Sequence, residues 1–597
     1  MRHDESALTH RANLLRVLVG SGFLLLFVAL FSLQVLQQSD FAAKALENRQ
    51  FRERVRAPRG RVLDRNGITL VDNRHQARLS LSLAGLKKDN PTFMRLTELL
   101  ELDGDLVLVR SASRREADRA TILKHANVEQ IAIVEEHRSQ LPDVQLNIEP
   151  LRQYRFGSMA AHVLGYIGEV DPEDVAASGR FGPYASGDMK GVSGLEGYVE
   201  NLLRGRHGTK VVEVNAANHV VGELEGAGRP VIPGVHFYLS LSQPLQKALE
   251  ELLEGRIGSG VVLEVPTGDI LAIASSPSFD PNLFAGGLDI TEWKRLESDP
   301  RQPLYNRSLQ GAYPPGSPYK LIGAACALEL GRVNPSTVFQ PCTGSYRFGN
   351  RIFRCWQRTE GHGLLDLEGA IIESCDVYFY QLGQLLTIDE LAATARRFGL
   401  GESSGLEFEA DRSGLVPDSD FYDRRFGRGQ WTRGVLLNNI IGQGELLATP
   451  LQMARAYAAL GGDGHLYRPN LILARENASG VREVRRVRRV SETVCSDRVR
   501  SFLKRALLQV VEHEEGTGGL AQLRGIAVAG KTGTAENPHG EDHAWFVAYA
   551  PAEDPEIAVA LIVENAGHGG AIAAPMVRAL MNEYFSARQP LSGELGK

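Results

Sequence analysis

Cysteine is scarce in this chain: Cys326, Cys342, Cys355, Cys375 and Cys495 are the only five in 597 residues. Their number is odd and no two form a C-x-x-C pair, which excludes a small fold stapled by disulfides. No domain is strongly basic and the net charge is -6, so the electrostatic footprint of a nucleic-acid-binding protein is missing. Internal repeats and low-complexity tracts are absent as well. With 43% hydrophobic, 7% aromatic and 23% charged residues, neither a disordered nor a collagen-like chain fits. At this length a single ordinary core is too small, and two or more globular parts are expected.

Long apolar runs are also missing, with one exception. Val17 to Leu36 reads VLVGSGFLLLFVALFSLQVL, uncharged and about the 20 residues needed to cross a bilayer. Arg2, Arg11 and Arg16 precede it, which places the N-terminus in the cytoplasm and the remainder outside. A cleaved signal peptide would have a shorter apolar core and a small-residue cleavage site. Phe41-Ala42-Ala43 is the one weak candidate, so segment length argues for an uncleaved anchor.

After the anchor, APRGRVLDRNGITLVDN carries an Asn66-Gly67 pair between apolar runs, a hairpin signal. The stretch to about Val214 mixes short apolar runs with charged segments such as Glu116 to Glu136, which reads as helical, and suggests an elongated α+β region. Gly, Ala and Pro accumulate over GELEGAGRPVIPG, Gly222 to Gly234, a domain boundary. Beyond it, Pro244 to Leu253 suits a helix, and Gly260 to Val265 and Ile270 to Ala274 suit strands. IAVAG, AWFVAYAP and IAVALIVEN read as three further strands, followed by a helix from Pro575 to Phe585, so the pattern is a sheet covered by helices.

Within that region AYPPGSPYKLIGAACALELG puts a helix start directly after Pro314-Pro315-Gly316. Ser317 and Lys320 then share one helical face, with the amine within reach of the hydroxyl. The positive end of the helix dipole disfavours the lysine's charge, and a neutral amine is the base that a serine nucleophile needs. Alone this pair is a weak signal, since Ser317 could simply cap the helix. Two other elements follow in order: Ser374-Cys375-Asp376 within LEGAIIESCDVYFYQLG, read as one helix, and Lys531-Thr532-Gly533-Thr534 at the end of the strand-like IAVAG.

Together these resemble the S-x-x-K, S-x-N and K-T-G set of penicillin-binding proteins and class A β-lactamases. SGLEGYVENLLRGRHG, VVLEVPTGDILAIASSPSFDPN, NNIIGQGELLATPLQMA, HAWFVAYAP and the early APRGRVLDRNG resemble class B penicillin-binding proteins over nearly the whole chain after the anchor. The resemblance implies a peptidoglycan D,D-transpeptidase and β-lactam target in which Lys320 deprotonates Ser317, and Ser374 relays protons to the leaving D-alanine. Ser317 and Thr534 would supply oxyanion N–H groups. Lys531 would set the potential, and Thr532, Gly533 and Thr534 would bind the substrate. Position 376 departs from the pattern: aspartate stands where asparagine is usual, and an ionised carboxylate only accepts hydrogen bonds. The same aspartate is familiar in elongation-type members.

Cys342, Cys355, His362 and Cys375 crowd around the second motif and have the ligand chemistry of a structural zinc site. A Cys342–Cys355 disulfide and inert buried thiols are the alternatives. Chemistry at Ser317 requires no cofactor. Cys326 and Trp545 are expected in the core, His543 either in the cleft or as a structural histidine, and His568 in a loop.

The expected fold is α+β: a cytoplasmic tail (1–16), an anchor (17–36), a pedestal (37–225), a linker (226–234), and a transpeptidase domain (235–590) of helices on an antiparallel sheet. The implied location is the inner membrane with the catalytic part periplasmic. The implied partners are peptidoglycan stem peptides, a membrane glycosyltransferase of the SEDS type and the elongation machinery, without nucleic acid. A D,D-carboxypeptidase or β-lactamase and a non-catalytic regulatory scaffold are the rival readings.

Overall fold

The computed structural model describes residues 2–587 except 40–49, 84, 113–114, 117–118, 179–183, 186, 215–219, 225, 287–289, 408–410 and 538–539. Phe41-Ala42-Ala43 and the last residues of the expected transpeptidase part, 588–590, lie outside the described residues. The chain forms two compact units, Met1–Ala57 with Arg206–Ile232, and Pro58–Gly205 with Pro233–Lys597.

The first unit begins with an α-helix, Arg2–Phe31, that passes into a π-helical turn, Ser32–Leu36. Thr9–Leu36 has a mean hydropathy of 2.4 and buries nothing against protein, as a lipid-facing helix requires. Gln50–Val55, Gly208–Val214 and Val220–Glu223 add a three-stranded antiparallel sheet.

The second unit contains the expected Asn-Gly turn. Val62–Leu63 pairs with Thr69–Ser82, Gly67 takes φ +85°, and Asp64 Oδ1 accepts hydrogen bonds from the Asn66 and Ile68 N–H groups. His236–Leu239 pairs with Val62–Leu63 in parallel and with Ile472–Glu476 antiparallel, so one sheet takes strands from both sides of Gly222–Gly234. The helical reading of Glu116 to Glu136 is corrected. Arg119–Ala126 is a strand against Thr69–Ser82, and only Val128–Glu136 is helical, started by an Asn127–Gln130 capping box. Long-range pairing that buries Ala120 and Ile122 outweighs local propensity there. Beneath this region Arg59 and Arg152 share buried ion pairs with Glu196, and Arg59 also pairs with Glu200.

The layer that carries the chemistry is a five-stranded antiparallel sheet. Its strands are β1 (Gly258–Glu264), β2 (Ile270–Ser276), β3 (Ala529–Ala535), β4 (His543–Ala550) and β5 (Ile557–Val563), in the order β2-β1-β5-β4-β3. Both faces are covered, so the strands read as nearly unbroken apolar runs. Helix α1 (Gln243–Leu253) uses Leu245, Leu249 and Leu253 in one core with Val262, Leu271, Phe546 and Leu561. The opposite core holds Val261, Ile273, Trp545 and Val547 with helices α2 (Lys320–Glu329), α3 (Leu367–Ile372), α4 (Asp376–Gly383), α5 (Pro450–Gly461) and α6 (Asp497–Glu512). The last helix, α7 (Gly569–Ser586), packs with α1, as Val577 and Leu580 show. It starts six residues before the expected Pro575, which the helix accommodates internally because the turn at Gly569 is set by packing on the sheet rather than by propensity. As expected, β3 carries Lys531–Thr534 at its end, and its pairing with β4 continues to Ala535.

Candidate active site

Ser317 opens a short 3-10 turn, Ser317–Tyr319, that leads into α2. The preceding Gly316 has φ +61°, and a Cβ there would lie 2.9 Å from the Thr534 carbonyl oxygen. Only glycine combines that backbone with that approach. Upstream, Tyr313 pairs through its backbone with Ala448, and its hydroxyl donates to Glu564 Oε1 at 2.7 Å, the oxygen that Arg307 Nε also reaches at 2.9 Å. Downstream, the Tyr457 hydroxyl donates to the Pro318 carbonyl at 3.1 Å. The turn is thus anchored on both sides.

Lys320 is fully buried. Its ammonium donates to the Ser374 carbonyl at 2.6 Å and hydroxyl at 3.2 Å, and pairs with Asp376 Oδ1 at 2.7 Å. Among the described residues these bonds, rather than one to Ser317, occupy the lysine, although the helical spacing is as expected. The stretch expected as a single helix around Ser374 is two helices, α3 and α4, broken by Ser374 at φ +57°. A non-glycine residue in that region costs roughly 1–2 kcal/mol. The break turns the carbonyl and the hydroxyl of Ser374 towards the same ammonium, which an unbroken helix could not do, because its carbonyl would face along the axis. Cys375 then caps α4 by accepting from the Tyr378 N–H with its Sγ.

Asp376 is almost wholly buried, which raises its pKa against the opposing pull of Lys320. Its second oxygen, Oδ2, accepts from the Trp356 backbone N–H at 3.0 Å. Lys531, on β3, is also fully buried. Burial first, and then the charge of Lys320, hold its pKa well below the usual lysine value, against Asp376. Lys531 has no ion-pair partner among the described residues, and its one hydrogen bond there is to the Thr532 carbonyl at 3.5 Å. The Thr532 hydroxyl meets Thr517 Oγ1 at 2.7 Å, and Gln443 Nε2 donates to the Thr534 carbonyl at 3.0 Å. Gly533 lies between these threonines on the strand. The structure therefore gathers Ser317, Lys320, Ser374, Asp376, Lys531 and Thr534 from three distant segments.

Cys342, Cys355, His362 and Cys375 also converge: their ligand atoms all lie within 4.8 Å of one another. His362 Nδ1 is 3.5 Å from both Cys342 Sγ and Cys355 Sγ. All five cysteines are free thiols, so the Cys342–Cys355 disulfide is not formed. Three sulfurs and an imidazole nitrogen in a mostly buried cluster fit a closed tetrahedral metal site. The cluster touches the second motif twice, since Cys355 precedes Trp356, whose N–H holds Asp376, and Cys375 stands between Ser374 and Asp376.

Cys326 and Trp545 lie in the core as expected. His543 begins β4 and accepts from the Asn565 N–H through Nδ1, with its ring edge-on to Tyr313 at 5.8 Å, so it pins structure beside the cleft. His568 lies in a loop, as expected, at its junction with α7. It stands at the N-cap of α7 with Nδ1 3.5 Å from Thr534 Oγ1. Sequence reasoning passed over Tyr313, Glu564, Trp356, Gln443 and Thr517. The Gly442-Gln443-Gly444 run was a signal for Gln443, whereas the backbone bond from Trp356 leaves no side-chain signature.

Residues 258–582 match the family model described as the penicillin-binding protein transpeptidase domain, and residues 54–239 match the penicillin-binding protein dimerisation domain. The chain is 33% identical to the peptidoglycan D,D-transpeptidase MrdA of Haemophilus influenzae over 95% of this chain and 90% of that protein. Among solved structures, it is similar to the penicillin-binding protein PBP2 of Helicobacter pylori in complex with MreC, with TM-score 0.78, 27% identity, and 91% and 99% of the two chains covered. It is also similar to a chain in a peptidoglycan synthase complex that coordinates polymerization and crosslinking, with TM-score 0.71, 30% identity, and 98% and 100% covered.

Proposed function

This chain belongs to the family of penicillin-binding protein transpeptidases, it is a peptidoglycan D,D-transpeptidase, and we propose that Ser317 is its nucleophile and Lys320 its base. The observation that carries the assignment is the meeting of Lys320 with Ser374 and Asp376 next to the buried Lys531. In the proposed reaction, with Lys320 in its neutral amine form, Ser317 Oγ attacks the carbonyl of the penultimate D-alanine of a stem peptide and its proton passes to the Lys320 amine. Ser374, within hydrogen-bond reach of Lys320, hands a proton to the departing D-alanine amine. The Ser317 and Thr534 N–H groups stabilise the tetrahedral oxyanion. An amine from a neighbouring stem peptide then attacks the ester, which closes the cross-link and frees Ser317. β-Lactams enter the same path and stop at the acyl-serine.

Lys531, Thr532, Gly533 and Thr534 are assigned to substrate binding. Lys531 is a buried amine without its own carboxylate among the described residues, and burial holds its pKa well below the usual lysine value. A substrate that ends in a carboxylate remedies this.

We further assign residues 17–36 to a membrane anchor, 37–225 to a pedestal, 226–234 to a linker and 235–590 to the transpeptidase part. The apolar Thr9–Leu36 helix and the two matched segments support this. The anchor fits an inner-membrane protein with a periplasmic catalytic part. The solved relatives in complex with MreC and in a peptidoglycan synthase complex support a role in cell elongation beside a SEDS-type glycosyltransferase. The chemistry needs no cofactor. The Cys342, Cys355, His362 and Cys375 set is assigned to a structural zinc ion that would hold the Trp356 and Ser374 segments in register. Metal analysis of chelator-free protein tests this: near-stoichiometric zinc supports it, and metal-free protein with freely titratable thiols at these positions sinks it.

The activity assignment is tested with fluorescent penicillin. Stable labelling that disappears in Ser317→Ala is expected. Absence of label on the native protein, or equal label on the variant, would remove Ser317 from the role, and rapid loss of label would turn the reading towards a hydrolase.

A further inference from the structure

The mechanism leaves His568 unused, although its ring approaches the substrate strand. His568 Nδ1 lies 3.5 Å from Thr534 Oγ1, at the outer limit of a hydrogen bond, and it is the only side-chain partner of that hydroxyl among the described residues. Hydrogen bonds of this kind are often long in a ligand-free site and tighten when ligand binds. His568 is exposed and has no other side-chain partner among the described residues.

The position is fixed from below. A Cβ on Gly569 would lie 2.1 Å from the Trp545 carbonyl oxygen and 2.3 Å from that of Gly533, so the first turn of α7 sits directly on β3 and β4. The His568 carbonyl accepts the Ala571 and Ile572 N–H groups, each at 3.2 Å, which ties the residue to the helix it caps. The backbone of Thr534 is held as well, by Gln443 Nε2 on its carbonyl. Two rigid elements thus set one imidazole nitrogen against one hydroxyl.

The direction of that bond matters. A neutral imidazole with a bare Nδ1 accepts the Thr534 O–H, which leaves only the hydroxyl oxygen's lone pairs to offer a ligand. An imidazole with Nδ1–H donates to Oγ1, and the Thr534 O–H is then free to donate outward. A carboxylate accepts hydrogen bonds and cannot give them, so only the second arrangement suits it. A donor behind the hydroxyl also polarises it and strengthens the outward bond.

We propose that His568 is a positioning residue for the donor peptide, one that holds the Thr534 hydroxyl as a hydrogen-bond donor towards the terminal carboxylate of D-alanyl-D-alanine. This rests on the assignment of Thr534 to substrate binding. His568 itself transfers no proton to the reacting atoms.

The test is a double-mutant cycle read as the second-order rate of acylation by fluorescent penicillin, whose carboxylate stands in for that of the peptide. Full-length protein with its anchor is used, and correct folding is checked by thermal unfolding. His568→Ala is expected to slow acylation about five- to tenfold, the worth of one hydrogen bond, mainly through weaker ligand binding rather than a slower chemical step. His568→Asn, whose amide N–H lies near the Nδ1 position, is expected to recover the rate to within about twofold. In a Thr534→Val background, His568→Ala is expected to change nothing. A native rate in His568→Ala, a failed rescue by Asn, or the same fold-loss with and without the Thr534 hydroxyl would each overturn the proposal. Failure of the wider reading looks different, because then native protein itself is not labelled at Ser317.

Discussion

Replacing Asp376 by asparagine converts this chain's second motif into the commoner S-x-N form, so motif comparison alone expects a harmless change. The structure predicts the opposite. Asp376 Oδ1 pairs with Lys320 Nζ at 2.7 Å, and Oδ2 accepts from the Trp356 N–H at 3.0 Å. Both oxygens therefore face donors, and asparagine has one acceptor where two are required. Its amide NH2 must confront either the buried ammonium or a backbone N–H. Loss of a charge-assisted bond with one buried donor unsatisfied costs about 2–3 kcal/mol. If that cost falls on the transition state, Asp376→Asn slows acylation roughly 30- to 150-fold, at about 1.36 kcal/mol per factor of ten. If it falls on folding, the same amount appears as lost stability. The assay is a time course of fluorescent-penicillin labelling combined with urea unfolding of the same preparations. An acylation rate within about threefold of native and an unchanged unfolding midpoint would refute the acceptor count.

Glu250 accepts hydrogen bonds from the Ala160 N–H and the Gln246 side chain, and burial pushes its pKa up from 4.5 to about 7. The folded state thus holds the proton more tightly than the unfolded one, so stability is full below about pH 4.5 and is lost as pH rises through 7. Glu250→Gln lacks this loss, and its unfolding free energy should exceed native by up to roughly 3 kcal/mol at about pH 8 and match it near about pH 5. A pH-independent difference between the two proteins would contradict the assignment. Glu196→Gln removes the carboxylate that Arg59 and Arg152 share in the buried cluster, and should cost about 3–5 kcal/mol in denaturant unfolding. An unchanged midpoint would show that water or Glu200 alone neutralises both guanidinium groups. Ser374→Gly should relieve left-handed strain, with a gain of roughly 1 kcal/mol in stability, and at the same time slow acylation by removing the hydroxyl beside Lys320. A Ser374→Gly variant that unfolds as easily as native would show that the backbone there is not strained.

What the sequence disclosed, and what it hid, divides along the range of the interactions. Ser317 and Lys320 were legible because Pro314, Pro315 and Gly316 set the helix start and a three-residue spacing does the rest. The Asn66-Gly67 hairpin, the five-stranded sheet and the buried Trp545 follow from patterns within a few residues, and all are present. Contacts between distant segments were hidden. Tyr313 and Glu564 are separated by 251 positions, and nothing near either residue announces the other. The strand Arg119–Ala126 carries charge enough to look helical, and only its pairing with Thr69–Ser82 reveals what it is. The break at Ser374 was hidden for another reason: the residues around it favour a continuous helix, and the structure overrides them at the point where chemistry needs the carbonyl turned. The cysteine-histidine cluster was visible as residue types, while its closure to within 4.8 Å was not, because no standard finger has that spacing.

The arrangement of charge explains why the three motifs must be read together. Lys320 and Lys531 are both fully buried, and burial together with the charge of Lys320 disfavours the charged form of Lys531. Among the described residues Asp376 is the only carboxylate paired with either, and it belongs to Lys320 through a direct contact. Lys531 is left with a backbone carbonyl at 3.5 Å. The protein's own side chains consequently leave Lys531 without a carboxylate, in a place where burial disfavours its charged form. A ligand placed along β3 as proposed, with its carboxylate near Thr532 and Thr534, would favour the charged form of Lys531, and its extended backbone would meet a strand that stands at the end of the sheet order. Aspartate in place of asparagine at 376 fits the same count. With two buried lysines near it, a second-motif carboxylate offers a negative partner that an amide lacks before substrate arrives.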